Sequence, residues 1–178
     1  AADVDKANVT EKDVVCGIAA SKRTPYSIGA VKRAKELGAV TIFLTCNPRE
    51  NVCIPEADIT ICPYVGPEVI TGSTRMKSGT AQKLVLNMIT TTAMVKLGKT
   101  YENLMIDLQL TNKKLEERAK KIIMTITGVS YLEAESFLKE ANGHVKTALV
   151  MIIAKVSKED AEQKISAAGG FIRKAIQL

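Results

Sequence analysis

Three short apolar runs separated by polar segments constrain the fold more than any other feature of this sequence. They cover residues 13–20 (DVVCGIAA), 40–46 (VTIFLTC) and 58–62 (DITIC) and are rich in β-branched residues, which favour strands. Between the first two runs lies a segment whose apolar residues recur every three positions, as on one face of a helix. Strand, helix and strand joined by short connections are typical of a parallel α/β sheet.

The first helix of this pattern has clear ends. Thr24 is predicted to be its N-cap and Pro25 its first residue, because proline is well suited to that position. Gly38 is predicted to end it. The strand runs do not alternate between apolar and polar residues, so we expect both faces of the sheet to be covered.

Two polar segments follow predicted strands, where ligands bind in parallel sheets. Ser21 to Thr24 follows the first strand, and residues 66–83 (GPEVITGSTRMKSGTAQK) follow the third. The second segment combines a carboxylate, several hydroxyls and three cations before a long apolar helix. Such a set at a helix start suits a phosphorylated, oxygen-rich ligand. The alternative is a polar loop with an ordinary helix cap.

The long helix is predicted from about Thr74 to Leu97. Its apolar residues fall on most sides, so we expect it to be buried in the core or at a subunit interface. Residues 101–107 (YENLMID) fit either extended chain or helix, and an amphipathic helix is predicted over residues 111–127. We expect two domains, residues 1–110 and 111–178.

The remaining chain is predicted to be helical. Ser130 caps one short helix, Asn142 and Gly143 break it, and Ser157 caps a third. The last segment is interrupted by a pair of glycines, and His144 is interpreted as a structural residue.

Composition excludes several classes of function. The net charge is +6, but the lysines are spread along solvated helix faces, and aromatics make up only 4% with no tryptophan, so we expect no nucleic-acid partner. Neither a secretory signal nor an apolar run of roughly 20 residues is present, so we expect a cytoplasmic protein with no membrane partner. The cysteines lack metal-site spacing, so we expect reduced thiols and neither a metal nor a cofactor. These are Cys16, Cys46, Cys53 and Cys62.

Two segments carry a family resemblance. Residues 17–30 (GIAASKRTPYSIGA) and 66–91 (GPEVITGSTRMKSGTAQKLVLNMITT) resemble the second half of the N-acetylmuramic acid 6-phosphate etherases, sugar isomerase (SIS) fold enzymes related to the glucokinase regulatory proteins. YENLMID followed by Asn112 and Arg118 fits the same family. The resemblance implies a partial SIS-type three-layer α/β sandwich built on a parallel sheet. A small all-α domain, similar to ubiquitin-associated domains, would follow it.

The resemblance also implies an activity. These enzymes cleave the D-lactyl ether of N-acetylmuramic acid 6-phosphate, giving N-acetylglucosamine 6-phosphate and D-lactate in cell-wall sugar recycling. A base takes the proton at C2 and an acid protonates the departing oxygen, roles that suit carboxylates with raised pKa. The expected partners are a 6-phosphorylated amino sugar and a second copy of the chain. The alternative is a regulatory SIS protein that binds a sugar phosphate without catalysis.

The same resemblance implies a set of site residues. Glu68 is a possible catalytic carboxylate, with capping of its own loop as the alternative. The residues expected to bind the sugar phosphate are Ser21, Arg23, Thr24, Glu68, Ser73, Thr74 and Arg75.

This sequence departs from the family pattern in two ways. The etherases carry an upstream half with a GTSGR-type loop and the glutamates usually assigned as acid and base. We therefore expect this chain to be one piece of a longer protein, or else a degenerate stand-alone form, and to be inactive alone. Second, Lys22 replaces the glycine of a Ser-Gly-Arg-Thr loop. Its side chain either blocks the close approach of a phosphate or supplies a compensating cation.

Overall fold

The computed structural model describes residues 1–21, 23–47 and 54–178 of the chain. Its contacts divide the chain into two compact units, Ala1–Ile89 (unit 1) and Thr90–Leu178 (unit 2). The division falls inside one long helix. The domain boundary after residue 110 stays a prediction.

Unit 1 is an α/β unit built on a small sheet. In chain order its elements are α1 (Ala2–Lys6), β1 (Val14–Ile18), α2 (Pro25–Glu36), β2 (Val40–Leu44), β3 (Ile59–Ile61) and the first part of α3 (Lys77–Lys96). The strands pair in the order β1-β2-β3, and both pairs are parallel. The predicted parallel sheet and the helix after its first strand are confirmed.

Helix α2 packs closely against one face of the sheet through a glycine. A Cβ atom on Gly17 would lie 2.6 Å from Cγ2 of Val31 and 3.1 Å from the Ser27 carbonyl oxygen. Val31 and Phe43 are fully buried at this contact. The small residue in β1 therefore sets the distance between helix and sheet.

The opposite face of the sheet is largely open. Val14, Val40 and Ile59 point away from the α2 side by the parallel register, and all three are exposed. The expectation that both faces are covered is therefore wrong for the described part of the chain. The apolar strand runs indicate how much surface could be buried, but they do not show that this chain supplies the covering layer.

Helix α3 also differs from its prediction. It begins at Lys77 rather than at about Thr74, because residues 74–76 form a turn. Of its residues only Ser78 and Val85 are buried, whereas Leu84 and Met88 are exposed. Burial of this helix in the core of the chain is therefore contradicted, and the subunit-interface alternative is not.

Unit 2 begins within α3 and continues through a hairpin into a helical array. Its further elements are β4 (Thr100–Tyr101), β5 (Leu104–Met105), α4 (Lys113–Thr127), α5 (Tyr131–Glu140), α6 (Val145–Ala154), α7 (Lys158–Ala167) and α8 (Ile172–Ala175). Strands β4 and β5 pair in antiparallel fashion, so the ambiguous YENLMID segment is extended over these strands. The turn between them places Glu102 at φ 51°.

Three helices of unit 2 begin at capping residues, two of which, Ser130 and Ser157, are predicted by the sequence. Asn112 caps α4, with its side chain accepting the N–H of Leu115 at 3.0 Å. Ser130 forms a capping box with Glu133, and Ser157 caps α7. One cluster of buried residues, including Ile123 and Leu149, joins these helices into a continuous core.

None of the helices in the described residues is long and apolar enough to span a bilayer.

Candidate functional site

The carboxyl ends of the three parallel strands lie at one edge of the sheet. The pairing continues past the strands, with the N–H of Ala19 donating to the Leu44 carbonyl and the N–H of Thr45 donating to the Ile61 carbonyl, both at 3.0 Å. The N–H of Cys46 then donates to the Ala20 carbonyl at 3.1 Å. The loops after β1 and β3 therefore leave from the same edge, as predicted.

The loop after β1 leads into the start of α2. Thr24 occupies the predicted N-cap position in an extended conformation, but its side chain makes no capping hydrogen bond. The buried hydroxyl of Ser27 instead donates to the Ile18 carbonyl at 3.0 Å and ties the first turn of α2 to the end of β1. Ser21, Arg23 and Thr24 are exposed beside the positive end of the α2 dipole. Lys22 lies outside the described residues.

Glu68, in the loop after β3, caps helix α3. Its Oε2 accepts the backbone N–H of Lys77 at 3.1 Å, and its Oε1 accepts the N–H of Ser78 at 2.9 Å. The Ser78 hydrogen bond is the largest of several interactions that lower the pKa of Glu68. The carboxylate is therefore ionised at neutral pH and is poorly suited to donate a proton.

The segment from Pro67 to Lys77 is closed by further hydrogen bonds. The ammonium of Lys77 donates to the Pro67 carbonyl at 2.8 Å, which joins the two ends of the segment. The N–H of Ser73 donates to the Ile70 carbonyl at 3.0 Å and forms a turn inside it. Thr74 and Arg75 are exposed on this loop. The loop is thus compact and anchored on the first turn of α3.

Cys46 connects β2 to the same helix start. Its thiol donates to the Ser78 carbonyl at 3.7 Å, so the backbone of the buried Ser78 is held by Glu68 on one side and Cys46 on the other. Burial raises the pKa of the Cys46 thiol, which favours the protonated donor. Cys62, at the end of β3, contacts the carbonyl of Asn47 through its sulfur.

The structure joins some of the predicted site residues and leaves others apart. Glu68 belongs to a connected set with Lys77, Ser78 and Cys46. In the part of the chain that the structure describes, no hydrogen bond or ion pair joins Ser21, Arg23 or Thr24 to the loop after β3. The roles of Cys46 and Ser78 were not predicted from the sequence. Cys46 lies two residues after β2 and Ser78 lies ten residues after Glu68, and such spacing is not a local capping pattern.

Cys16 and Cys46 are free thiols of intermediate exposure, and Cys62 is also intermediate in exposure. Cys53 lies outside the described residues. Within residues 1–21, 23–47 and 54–178, no three His, Cys, Asp or Glu side chains are grouped so that they could hold a metal ion.

A parallel sheet with polar loops at its carboxyl edge is an α/β ligand-binding architecture, and comparison with known proteins defines the class further. The SIS domain model matches residues 1–92, and the chain belongs to the SIS domain family.

The more specific resemblance is also confirmed. The chain is 58% identical over 170 residues to the N-acetylmuramic acid 6-phosphate etherase of Salinibacter ruber. The aligned residues make up 95% of this chain and 54% of that protein. It is 50% identical over 175 residues to the protein of the same name from Erwinia tasmaniensis, covering 98% and 57% of the two sequences. The etherase of Alkaliphilus metalliredigens is 51% identical over 175 residues, with the same coverage. The chain therefore spans about half the length of the curated relatives it matches.

Proposed function

We propose that this chain is part of an N-acetylmuramic acid 6-phosphate etherase, a carbon–oxygen lyase. The reaction cleaves the D-lactyl ether and gives N-acetylglucosamine 6-phosphate and D-lactate. The observation that carries this proposal is the 58% identity over 170 residues to a curated protein of that name. The anchored polar loop at the carboxyl edge of the sheet supports a sugar-phosphate ligand.

The phosphate is proposed to bind at the start of α2. Ser21 and Thr24 offer exposed hydroxyls there, and Arg23 offers a guanidinium. The α2 N-terminus adds the positive end of a helix dipole, which favours an anion. The capping bond that would occupy the Thr24 hydroxyl is absent from α2, which supports a role in ligand binding.

The sugar is proposed to contact the loop after β3. Ser73, Thr74 and Arg75 supply polar side chains on that loop, and Arg75 is exposed. Glu68 is assigned a positioning role, because both of its carboxylate oxygens already accept backbone N–H groups of α3.

The acid and base of the reaction are proposed to lie outside unit 1 of this chain. Among the described carboxylates, those whose pKa departs clearly from its ordinary value are Asp58 and Glu68 in unit 1 and Asp107, Glu117 and Glu133 in unit 2, and all five have a lowered pKa. Elimination of lactate requires a group that donates a proton to the departing oxygen, which a strongly ionised carboxylate does poorly. We therefore expect no lactate release from this chain alone.

A chimera tests the proposal. The matched segment of the Salinibacter ruber etherase is replaced by this chain, and D-lactate release from N-acetylmuramic acid 6-phosphate is measured. We expect activity, and a drop of about 100-fold in kcat/KM for the Ser21→Ala/Thr24→Ala double variant, since two hydrogen bonds to a charged group are lost. Ser166→Ala, an exposed serine in α7, is the control. A folded chimera that binds the substrate without releasing lactate contradicts the lyase.

A non-catalytic sugar-phosphate sensor is the second candidate. Glu68 favours this candidate, because both of its carboxylate oxygens accept backbone N–H groups of α3 and the carboxylate therefore does not act as an acid or a base. Calorimetric binding of N-acetylglucosamine 6-phosphate by a chimera that never releases lactate is the result expected for a sensor.

The chain is also proposed to form a homodimer through α3. Leu84 and Met88 are exposed on this helix although they are large apolar residues, which is typical of an interface. Sedimentation equilibrium is expected to give twice the chain mass, and Leu84→Glu is expected to shift the distribution toward monomer. A monomer at micromolar concentration contradicts this proposal.

Two finer assignments complete the proposal. Helices α5, α6 and α7, each ten residues long, are proposed to form a ubiquitin-associated-like domain, and superposition of an experimental structure on such domains tests this. The protein is proposed to be cytoplasmic, because Cys16 and Cys46 are partly buried free thiols, which are typical of reducing compartments. Cell fractionation checks the location.

A further inference from the structure

Unit 2 contains a small cavity beside the start of helix α6. The cavity has a volume of about 180 Å³ and lies between residues 106–108, the first turn of α6 and helix α7. Of its lining residues, Asp107 and His144 are exposed, whereas Ile106 and Thr147 are buried. The cavity therefore reaches from the surface into the core of unit 2. The sites proposed above do not include it.

The start of α6 offers hydrogen-bond donors beside this cavity. His144 occupies the N-cap position, but its side chain makes no capping hydrogen bond. Among the described residues, no acceptor lies within hydrogen-bond distance of the backbone N–H groups of Val145, Lys146 and Thr147. Helix α6 is ten residues long, so these N–H groups form the positive end of its dipole. Helix α7 has the same length, but its start is capped by the side chain of Ser157.

Two side chains at the start of α6 also lack partners in the part of the chain that the structure describes. Thr147 lines the cavity and is only 5% exposed, yet its hydroxyl makes no hydrogen bond there. The ammonium of Lys146, a partly buried residue that also lines the cavity, forms no ion pair there. A buried polar group without a partner is unfavourable, so the Thr147 hydroxyl indicates a ligand in the cavity. A cation and free N–H groups beside it favour an anion.

Asp107 adds a requirement for a hydroxyl group on that anion. Its Oδ2 accepts a hydrogen bond from the ammonium of Lys99, whereas its Oδ1 has no partner among the described residues. The Lys99 hydrogen bond and, after it, the charge of Lys146 lower the pKa of Asp107, so this carboxylate is ionised at neutral pH. An ionised carboxylate repels a bare anion but accepts a hydrogen bond from a hydroxyl group.

The rest of the cavity wall is apolar. It is formed by Ile106, Leu108, Val145 and Ile165, of which Ile106 and Val145 are each 1% exposed. Inorganic phosphate is polar on all sides and gains nothing from such a wall, whereas a short alkyl group gains by leaving water. The volume is below the roughly 300 Å³ at which pockets for larger ligands begin, so the ligand must be small.

We propose that this cavity binds a short 2-hydroxycarboxylate. Its carboxylate accepts hydrogen bonds from the first N–H groups of α6, from the Thr147 hydroxyl and from the Lys146 ammonium. Its hydroxyl donates to Oδ1 of Asp107, and its alkyl group contacts Ile106 and Val145. D-Lactate carries all three groups. The site rests on unit 2 alone, and only the choice of D-lactate rests on the proposed function, whose product it is.

Titrations followed by amide NMR spectra of the whole, isotopically labelled chain test the site. The ligands are D-lactate, propionate, which lacks only the hydroxyl group, and inorganic phosphate. We expect D-lactate to move the amide signals of Val145, Lys146 and Thr147. Propionate should bind about tenfold more weakly, because a hydrogen bond to a charged group is lost. Phosphate should also bind more weakly than D-lactate, because it has no alkyl group.

Three variants separate ligand binding from stability. Thr147→Val removes the hydroxyl and should weaken D-lactate binding about tenfold without lowering Tm, because that hydroxyl has no partner within the described chain. Lys146→Met should weaken binding by a similar factor. Its matched control is Lys158→Met, at an equally partly buried lysine in the first turn of α7, which should keep the affinity because Ser157 caps that helix.

Asp107→Asn tests the hydroxyl requirement. The substitution removes the charge that strengthens the hydrogen bond from the hydroxyl and repels a bare carboxylate. We therefore expect the preference for D-lactate over propionate to fall from about tenfold toward one. Unit 2 should remain folded, with its amide spectrum unchanged away from the cavity.

Each other result contradicts the inference. Equal affinities of the wild-type chain for D-lactate and propionate exclude a hydroxyl requirement. Amide shifts with phosphate and none with D-lactate assign the cavity to phosphoryl groups, and no shift at the start of α6 with any of the three ligands leaves it as a water-filled cavity. A Thr147→Val variant with a lowered Tm means that the hydroxyl has a partner in the folded chain. All of these results leave the proposed lyase standing, since lactate release by the chimera tests it separately.

Discussion

The two units of the chain bury their apolar residues to different degrees. Helices α4 to α8 of unit 2 pack around one continuous cluster in which residues such as Ile123, Leu149 and Ile172 are almost fully buried. Among its described residues, unit 1 has two small clusters on the α2 side of the sheet, centred on Ala34 and Val31. Its other sheet face is largely exposed, and so are Leu84 and Met88 in its part of α3.

This difference shows which parts of the fold the chain completes by itself. A sheet face or a helix stripe is stable when another layer removes its apolar surface from water. Helices α4 to α8 of unit 2 supply the layers that cover their own core. Unit 1 instead holds its loops in place with hydrogen bonds, and it keeps apolar surface available for another polypeptide or ligand.

The largest expected effect comes from paired truncations in the two units. Leu149→Ala removes a fully buried side chain from unit 2 and should lower the free energy of unfolding by about 2 to 5 kcal/mol. Leu84→Ala, on the exposed side of α3, should change it by less than about 0.5 kcal/mol at protein concentrations low enough for the chain to be monomeric. Urea unfolding followed by circular dichroism measures both.

The pair is informative because both substitutions remove the same atoms from a helix. An equal loss for both variants at low protein concentration would mean that α3 is buried within the chain in solution. A loss for Leu84→Ala that grows with protein concentration would instead place Leu84 in an interface between copies.

The next effect concerns the closest contact of unit 1. Gly17→Ala introduces a Cβ atom 2.6 Å from Val31 and 3.1 Å from Phe43, so helix α2 must shift away from the sheet. We expect a loss of about 1 to 3 kcal/mol from this overpacking. Gly29 lies inside α2, and outside the backbone of that helix the atom nearest to the new Cβ of Gly29→Ala is the nitrogen of Ala1, 4.0 Å away.

Gly29→Ala should therefore stabilise the chain by about 0.5 to 1 kcal/mol, because alanine favours the helix. Thermal unfolding of both variants measures the difference in sign. If Gly17→Ala leaves the free energy of unfolding unchanged, the close contact between α2 and β1 does not stabilise unit 1. The difference in packing between the two units is then greater than the structure indicates.

Local signals in the sequence were sufficient for most element positions. Pro25 after Thr24, the caps Ser130 and Ser157, and the glycine after α2 each act on the adjacent backbone, so they predict helix ends without knowledge of the fold. The parallel sheet followed from the spacing of strand and helix runs. All of these predictions are confirmed.

The candidate site was less predictable because its contacts are long-range. The first residue of α3 depends on Glu68, nine residues away, and the Cys46–Ser78 contact joins positions thirty-two residues apart. The apolar residues on most sides of α3 predicted burial in the core or at a subunit interface, yet this pattern shows only that a surface is apolar. It does not identify the molecule that covers it. The roles of Ser21, Thr24 and Arg75 stay predictions.

A smaller, pH-dependent effect is expected at the amino ends of the strands of unit 1. Asp58 accepts hydrogen bonds from the backbone N–H and the hydroxyl of Thr41, both at 2.9 Å, and pairs with Lys35. The Lys35 interaction and these bonds lower the pKa of Asp58 to about 2. The folded pKa lies below the unfolded value of about 3.9, so the stabilisation is present above about pH 4 and is lost as the pH falls toward 2.

Asp58→Asn should therefore lower Tm by about 2 to 5 °C at pH 7 and by much less near pH 2. Glu11→Gln, which removes another carboxylate of unit 1, is the control and should not reproduce this dependence on pH. A deficit for Asp58→Asn that is the same at both pH values would mean that the carboxylate charge does not stabilise unit 1.

The smallest effect is expected from a surface ion pair of unit 2. Arg173 of α8 pairs with Glu102 of the β4–β5 turn, and both side chains are more than half exposed. Water and salt screen such a pair, so Arg173→Ala should cost less than about 1 kcal/mol at 0.05 M salt and still less at 0.5 M salt. Urea unfolding at the two salt concentrations measures this cost. A loss as large as that of Leu149→Ala would mean that unit 2 depends on its surface charges as much as on its core. Its contrast with the hydrogen-bonded unit 1 would then disappear.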